Sequence, residues 1–166
     1  MQLTVNYSLS DFASKDGAVT PNEVIPNIQR LANNIEHLNV YLGAVANINS
    51  GYRSAQHNAN ENGSPKSQHL TGKAGDIWYS EFTPEQVRNA IIDLRDYGVM
   101  DWGGLGIYDS FIHFDQRGYA AEWDYRTNPN TNSDETDFNY PLGSPKTVAI
   151  TLAVVGLFTV GYIAFN

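Results

Sequence analysis

The chain has 166 residues, enough for one ordinary domain and an appendage. Its net charge of −8, with ten basic residues and no basic run, argues against a nucleic-acid partner, because phosphate contacts need a positive surface. It has no cysteine, which excludes a disulfide framework, thiolate metal ligands and a cysteine nucleophile, so any metal must be held by His, Asp or Glu.

Met1 to Tyr7 has no basic region and no long apolar stretch, so no secretory signal is expected. Tyr7 to Phe12 is a short lead-in, with Ser10 placed to cap a turn. From Pro26 to Leu42, apolar residues fall at Ile28, Leu31, Ile35, Leu38 and Leu42, the spacing of an amphipathic helix. His37 belongs on its polar face. Val45 to Ile48 is a strand. Gly51-Tyr-Arg-Ser opens a loop that His57 to Gly63 continues. Ala74 to Tyr79 is a strand carrying Asp76.

Thr83-Pro-Glu-Gln starts a second helix with Pro at its first position. This helix runs through Val87, Ile91 and Leu94 to about Tyr97, where Gly98 stops it. Gly103 to Tyr108 and Phe111 to Asp115 are two strands joined at Asp109-Ser110. The expected class is α+β, a small antiparallel sheet with flanking helices.

Beyond this head, residues 129–146 are rich in Asn, Pro, Ser, Thr and acids and have no helical or strand period. They are expected to be a polar linker with a reach of about 20–25 Å. Residues 147–166 end the chain. Thr147 to Phe165 carries no charge and would span about 28 Å as a helix, so a single C-terminal transmembrane anchor is expected. The expected division is therefore 1–128, 129–146 and 147–166. Lys146 is the one charge at the helix boundary, a bias toward keeping the head on the inner side.

The chemistry centres on two segments. Ser67-Gln-His-Leu-Thr-Gly-Lys-Ala-Gly-Asp76 and Phe111-Ile-His-Phe-Asp115 together supply His69, Asp76 and His113. Two imidazoles and a carboxylate suit a zinc ion with one open position, which activates water for hydrolysis. Gly72 and Gly75 argue against one helix carrying both His69 and Asp76, so a loop feeding a strand must bring them together. Asp115 lies two residues after His113, on the same strand face, where it could overlook the cleft as a general base. Arg53 could bind a developing oxyanion or a substrate carboxylate. Spacing alone leaves the plain readings open: a surface or core histidine, a turn aspartate, a surface ion pair at Arg53. His57 and His37 are weaker candidates.

Four segments in order carry a resemblance: Tyr7-Ser-Leu-Ser-Asp-Phe-Ala-Ser-Lys-Asp-Gly, Ile48-Asn-Ser-Gly-Tyr-Arg-Ser-Ala-Gln-His-Asn, Ser67 to Asp76, and Gly103 to Arg117. Over about residues 7 to 123 the chain resembles the M15 zinc peptidases, in the branch with bacterial D-Ala-D-Ala carboxypeptidases and phage endolysin-like proteins. The resemblance implies the fold shared with the amino-terminal domain of hedgehog and the D-Ala-D-Ala dipeptidases of vancomycin resistance. It implies Zn2+ held by His69, Asp76 and His113, Arg53 near the scissile carbonyl, and the peptides of bacterial peptidoglycan as substrate.

Several relatives place an acidic base three residues before the last zinc-binding histidine; here that position is Ser110. Asp109, four before, and Asp115, two after, are the two alternatives, and the strand argument favours Asp115. The resemblance does not cover the tail. Together these features imply a membrane-anchored phage lytic enzyme, or a virion enzyme that digests the wall during infection. The bilayer would be a partner through the C-terminal helix, in a virion membrane or the host inner membrane, with other virion proteins beside it. The competing expectation is a non-catalytic, zinc-stabilised binding module or structural virion membrane protein on the same fold.

Overall fold

A computed structural model describes residues 1–129. Apart from residue 129, the linker expected over 129–146 and the anchor expected over 147–166 lie outside the described residues. Among the described residues, no helix is long and apolar enough to cross a membrane.

Helix α1, Ile25–Leu42, carries the apolar stripe read from the sequence: Ile28, Leu31, Ile35, Leu38 and Leu42 are all buried. Helix α2 is Ala55–Asn60 and helix α3 is Pro84–Asp96. The start of α3 is fixed by reciprocal capping, in which Thr83 Oγ1 accepts from the Gln86 amide and Gln86 Oε1 accepts from the Thr83 amide. The strands are β1 (Asn47–Ser50), β2 (Ala74–Trp78), β3 (Gly104–Ile107), β4 (Ile112–Asp115) and β5 (Ala121–Asp124). They form one sheet in the order β1-β2-β4-β3-β5.

Four differences from the sequence reading have local causes. Strand β1 starts at Asn47 rather than Val45, because residues 44–46 close off α1: the Ala44 amide donates to the Asn39 carbonyl and the Ala46 amide to Asn39 Oδ1. The segment read as a loop after Arg53 contains α2, whose start is set by Ser54 Oγ accepting from the His57 amide. The sheet is not wholly antiparallel, because β5 joins its edge parallel to β3. The first turn, a 3-10 turn over Leu9–Phe12, begins after Ser8 rather than Ser10, and the Ser8 amide donates to Asp11 Oδ2.

Alternation along the strands divides the sheet into two faces. Ile77, Ile112, Phe114, Leu105 and Ile107 point into the core with α1 and α3. Asp76, His113, Gly106 and Trp123 lie in one transverse row on the other face, since Asp76 pairs with His113, His113 with Gly106, and Gly106 with Trp123. Burying side chains such as Leu31, Ile35 and Leu38 stabilises the fold by about 1.5–3 kcal/mol each relative to exposure. That packing gives the polar row a rigid base.

The N-terminal segment is tied to α1 by buried Glu36. Its Oε1 accepts from Thr4 Oγ1 (2.6 Å) and the Asn6 amide (2.9 Å); its Oε2 accepts from Asn6 Nδ2 (2.8 Å) and Asn39 Nδ2 (3.1 Å). Burial alone would raise the Glu36 pKa, but these hydrogen bonds outweigh it and hold the carboxyl below its ordinary value. Its stabilising contribution is therefore complete above the unfolded pKa of about 4.3 and is lost as pH falls through the lower folded pKa. Glu36→Gln should cost about 1–3 kcal/mol at pH 7, because an amide nitrogen cannot accept these bonds. In chemical denaturation the gap between wild type and variant should narrow in acid below pH ~4; a gap that widens there would contradict this assignment.

Candidate metal centre

Three elements bring the site together. His69 stands on a 3-10 turn over Gln68–Thr71, just before β2. Asp76 is in β2, and His113 is its register partner in β4. The convergence expected from a loop feeding a strand is thus reached through one turn of helix. All three side chains are buried, and they form a group that could hold a metal ion.

The donor atoms face one another. His113 Nδ1 is 2.8 Å from Asp76 Oδ1, His69 Nε2 is 3.2 Å from the same oxygen, and the two ring nitrogens are 3.2 Å apart. Two imidazole nitrogens and a carboxylate oxygen aimed at one point need a positive charge among them, either a proton or a cation. Ligand atoms on a tetrahedron with zinc bonds of ~2.0–2.1 Å stand about 3.3 Å apart, so the triangle is close to the size zinc requires. The other nitrogen of each ring is also engaged: His69 Nδ1 is 2.6 Å from the Gly51 carbonyl and His113 Nε2 is 3.3 Å from Asp115 Oδ2. Donation to those oxygens fixes the tautomers and leaves His69 Nε2 and His113 Nδ1 as the lone-pair donors, an arrangement suited to metal ligation. The residues present fit zinc.

The electrostatics follow the same geometry. When the positive charge among them is a proton, burial would raise the Asp76 pKa, but hydrogen bonds from His113 and His69 hold it well below the carboxylate range. Burial would lower the His113 pKa, but the carboxylates of Asp115 and Asp76 outweigh it and raise it. Arg53 completes this shell. Its Nη2 donates to Asp76 Oδ2 at 2.6 Å and its Nε to Ser50 Oγ at 2.8 Å. Arg53 thereby occupies the oxygen of Asp76 that faces away from the histidines and leaves Oδ1 for the donor triangle.

Asp115 shares the strand face of His113, as the period of two requires, but it does not overlook a cleft. Its residue exposure is 0 %. Oδ1 accepts from the Gly104 amide (2.9 Å) and from Arg117 N (3.1 Å) and Nε (2.9 Å), while Oδ2 accepts from Arg117 Nη2 at 2.6 Å. Gly104 permits this approach, since a Cβ there would stand 2.3 Å from Asp115 Oδ2. These partners and His113 occupy the lone pairs a base would use, on the side of the ring away from the donor triangle. Burial would raise its pKa, but His113, Arg117 and the Gly104 amide hold the carboxyl well below the usual range. Asp115 thus meets His113 at Nε2 rather than facing the donor triangle.

Asp109, the alternative, is turned toward the chain after β5, where its carboxylate accepts from the Thr127 amide (2.9 Å) and hydroxyl (2.6 Å). His57 lies on α2, outside the donor group. His37 is buried rather than on a polar face, with Nδ1 3.0 Å from the Val99 carbonyl. Sequence reasoning missed Arg117 and Trp123. Arg117, two residues beyond Asp115, could have been read as its partner; Trp123 had no signal, because β5 is too short to show a period.

The sequence profile of the family described as Peptidase M15 matches residues 3–115, which takes in all three donor residues and Arg53 but ends before Arg117 and β5. Among curated proteins nothing matches.

Proposed function

We propose that this chain, which belongs to the peptidase M15 family, is a zinc-dependent hydrolase of peptide bonds in bacterial peptidoglycan, of the D-Ala-D-Ala carboxypeptidase or endopeptidase type. The observation that carries this reading is the donor triangle of His69, Asp76 and His113, with the second nitrogen of each ring already held. A zinc ion bound there would supply polarisation of the scissile carbonyl and activation of water. The chain's own residues hold and orient. Gly51 and Asp115 fix the two imidazoles, and Arg53 fixes the carboxylate. Arg53 Nη1 makes no hydrogen bond among the described residues and is the nitrogen left for a substrate oxygen. The peptidoglycan substrate rests on the resemblance of the four sequence segments.

The reading extends to the whole chain: a catalytic domain over 1–128, a linker, and a bilayer anchor over 147–166, in a phage lytic or virion enzyme. The support for the anchor is the uncharged apolar run itself. One experiment tests both parts. Full-length protein should sediment with membranes, come into solution with detergent, and release peptides from purified peptidoglycan. EDTA should stop the release and zinc should restore it. Protein that stays soluble without detergent would remove the anchor; EDTA-resistant hydrolysis would remove the zinc mechanism.

A second reading, a zinc-stabilised module without catalysis, is favoured by the commitment of both Asp109 and Asp115 to other partners. Zinc binding without any hydrolysis would establish it.

A further inference from the structure

The hydroxyl of Tyr108 is a polar group at the site with no assigned part. Tyr108 follows β3 at its end nearest the β3–β4 turn. Its ring is fixed by stacking on Phe111, with centroids 4.3 Å apart and planes 9° from parallel, and by a tilted contact with Tyr125 at 5.6 Å. Trp123 fixes the hydroxyl, its indole Nε1 donating to Tyr108 Oη at 3.2 Å. Among the described residues the hydroxyl has no acceptor for its own proton.

Trp123 links this hydroxyl to the metal centre. Gly106 lies between them in the transverse row, paired with His113 on one side and Trp123 on the other. A Cβ at position 106 would stand 2.2 Å from Trp123 Nε1, so the glycine is the space in which the indole lies. From there the indole packs on the His113 ring, 5.2 Å between centroids. The Tyr108 hydroxyl is thus joined to the donor triangle through a single side chain, Trp123. A half-buried phenol whose oxygen is held by an indole and whose proton is unspent is a preorganised donor.

We propose that the Tyr108 hydroxyl donates a hydrogen bond to the oxygen of the scissile carbonyl as negative charge gathers there, with Trp123 as the residue that positions it. This rests on the peptidase reading above. No proton is transferred, so the role needs no change in the protonation of Tyr108.

The test uses the zinc-loaded full-length chain in detergent, a soluble peptidoglycan stem peptide as substrate, and a phosphinate isostere of the cleaved dipeptide as a mimic of the charged oxygen. Tyr108→Phe keeps the stacked ring and removes only the hydroxyl. It should retain its zinc by elemental analysis and keep KM within about 2-fold, while kcat falls about 10²–10³-fold. Calorimetry should show phosphinate affinity weakened by a comparable factor. Trp123→Phe should give a smaller fall of about 10-fold that disappears in the Tyr108→Phe background, because the two act through one hydrogen bond.

Tyr108→Phe with wild-type kcat and phosphinate affinity overturns the proposal. So does a variant that loses zinc, or one that raises KM with kcat unchanged, since either makes Tyr108 a packing or ground-state residue. A wild-type chain that holds zinc yet neither cuts the stem peptide nor binds the phosphinate overturns the peptidase reading, and the Tyr108 role with it.

Discussion

His113→Ala is expected to empty the site of metal and to abolish hydrolysis in the same step. The substitution removes one of three donor atoms and leaves His69 Nε2 and Asp76 Oδ1, which are 3.2 Å apart and too few for a stable three-ligand zinc site. It also takes away a ring that touches four neighbours: His69, Asp76, Asp115 and the Trp123 indole. Wild-type protein should gain thermal stability when zinc is added, because an ion that binds only the folded state stabilises it by about 2.7 kcal/mol at a hundred times its Kd. The variant should show no such gain. His57→Ala is the matched control, since His57 lies outside the donor group and its loss should leave zinc content and turnover unchanged. Elemental analysis and turnover on peptidoglycan read both. A His113→Ala chain with one zinc and full activity would place the metal elsewhere.

The sequence carried the parts of the fold that repeat. The stripe of α1, the Thr83-Pro84 start of α3 and the β3–β4 hairpin are periodic or capped, and each formed where expected. What it did not carry was brief or non-local. Helix α2 carries no large apolar residue and has only Ser54 to announce it. Strand β5 is four residues long and finds β3 across a connection that no local pattern reveals.

The candidate site divides the same way. Residue types and order brought His69, Asp76 and His113 into one group, but only the β2–β4 register sets Asp76 opposite His113. The period of two correctly put Asp115 on the face of His113. It could not say which nitrogen of the ring Asp115 would meet, and that depends on the Gly103-Gly104 backbone and on Arg117 closing around the carboxylate.

Asp115→Asn separates the two roles open to that residue. A general base would lose its function while the metal stayed, with turnover down by about 10²–10⁴-fold at any zinc concentration. A positioning carboxylate behaves differently. Asp115 Oδ2 is the partner of His113 Nε2, and it fixes the tautomer that leaves Nδ1 free toward Asp76. An asparagine that keeps its oxygen toward Gly104 and Arg117 must turn its amide nitrogen toward a ring nitrogen that is itself a donor. The opposite rotamer would leave backbone and guanidinium donors facing an NH2 group. Either way His113 is held less firmly. Zinc affinity should therefore fall about 10–100-fold, the usual effect of losing the partner of a ligating histidine. Turnover should recover most of its wild-type value once zinc is raised to saturation. Metal titration with a competing chelator, run beside turnover at low and saturating zinc, reads the difference. Unchanged zinc affinity with turnover lost at every zinc concentration would return Asp115 to the role of base.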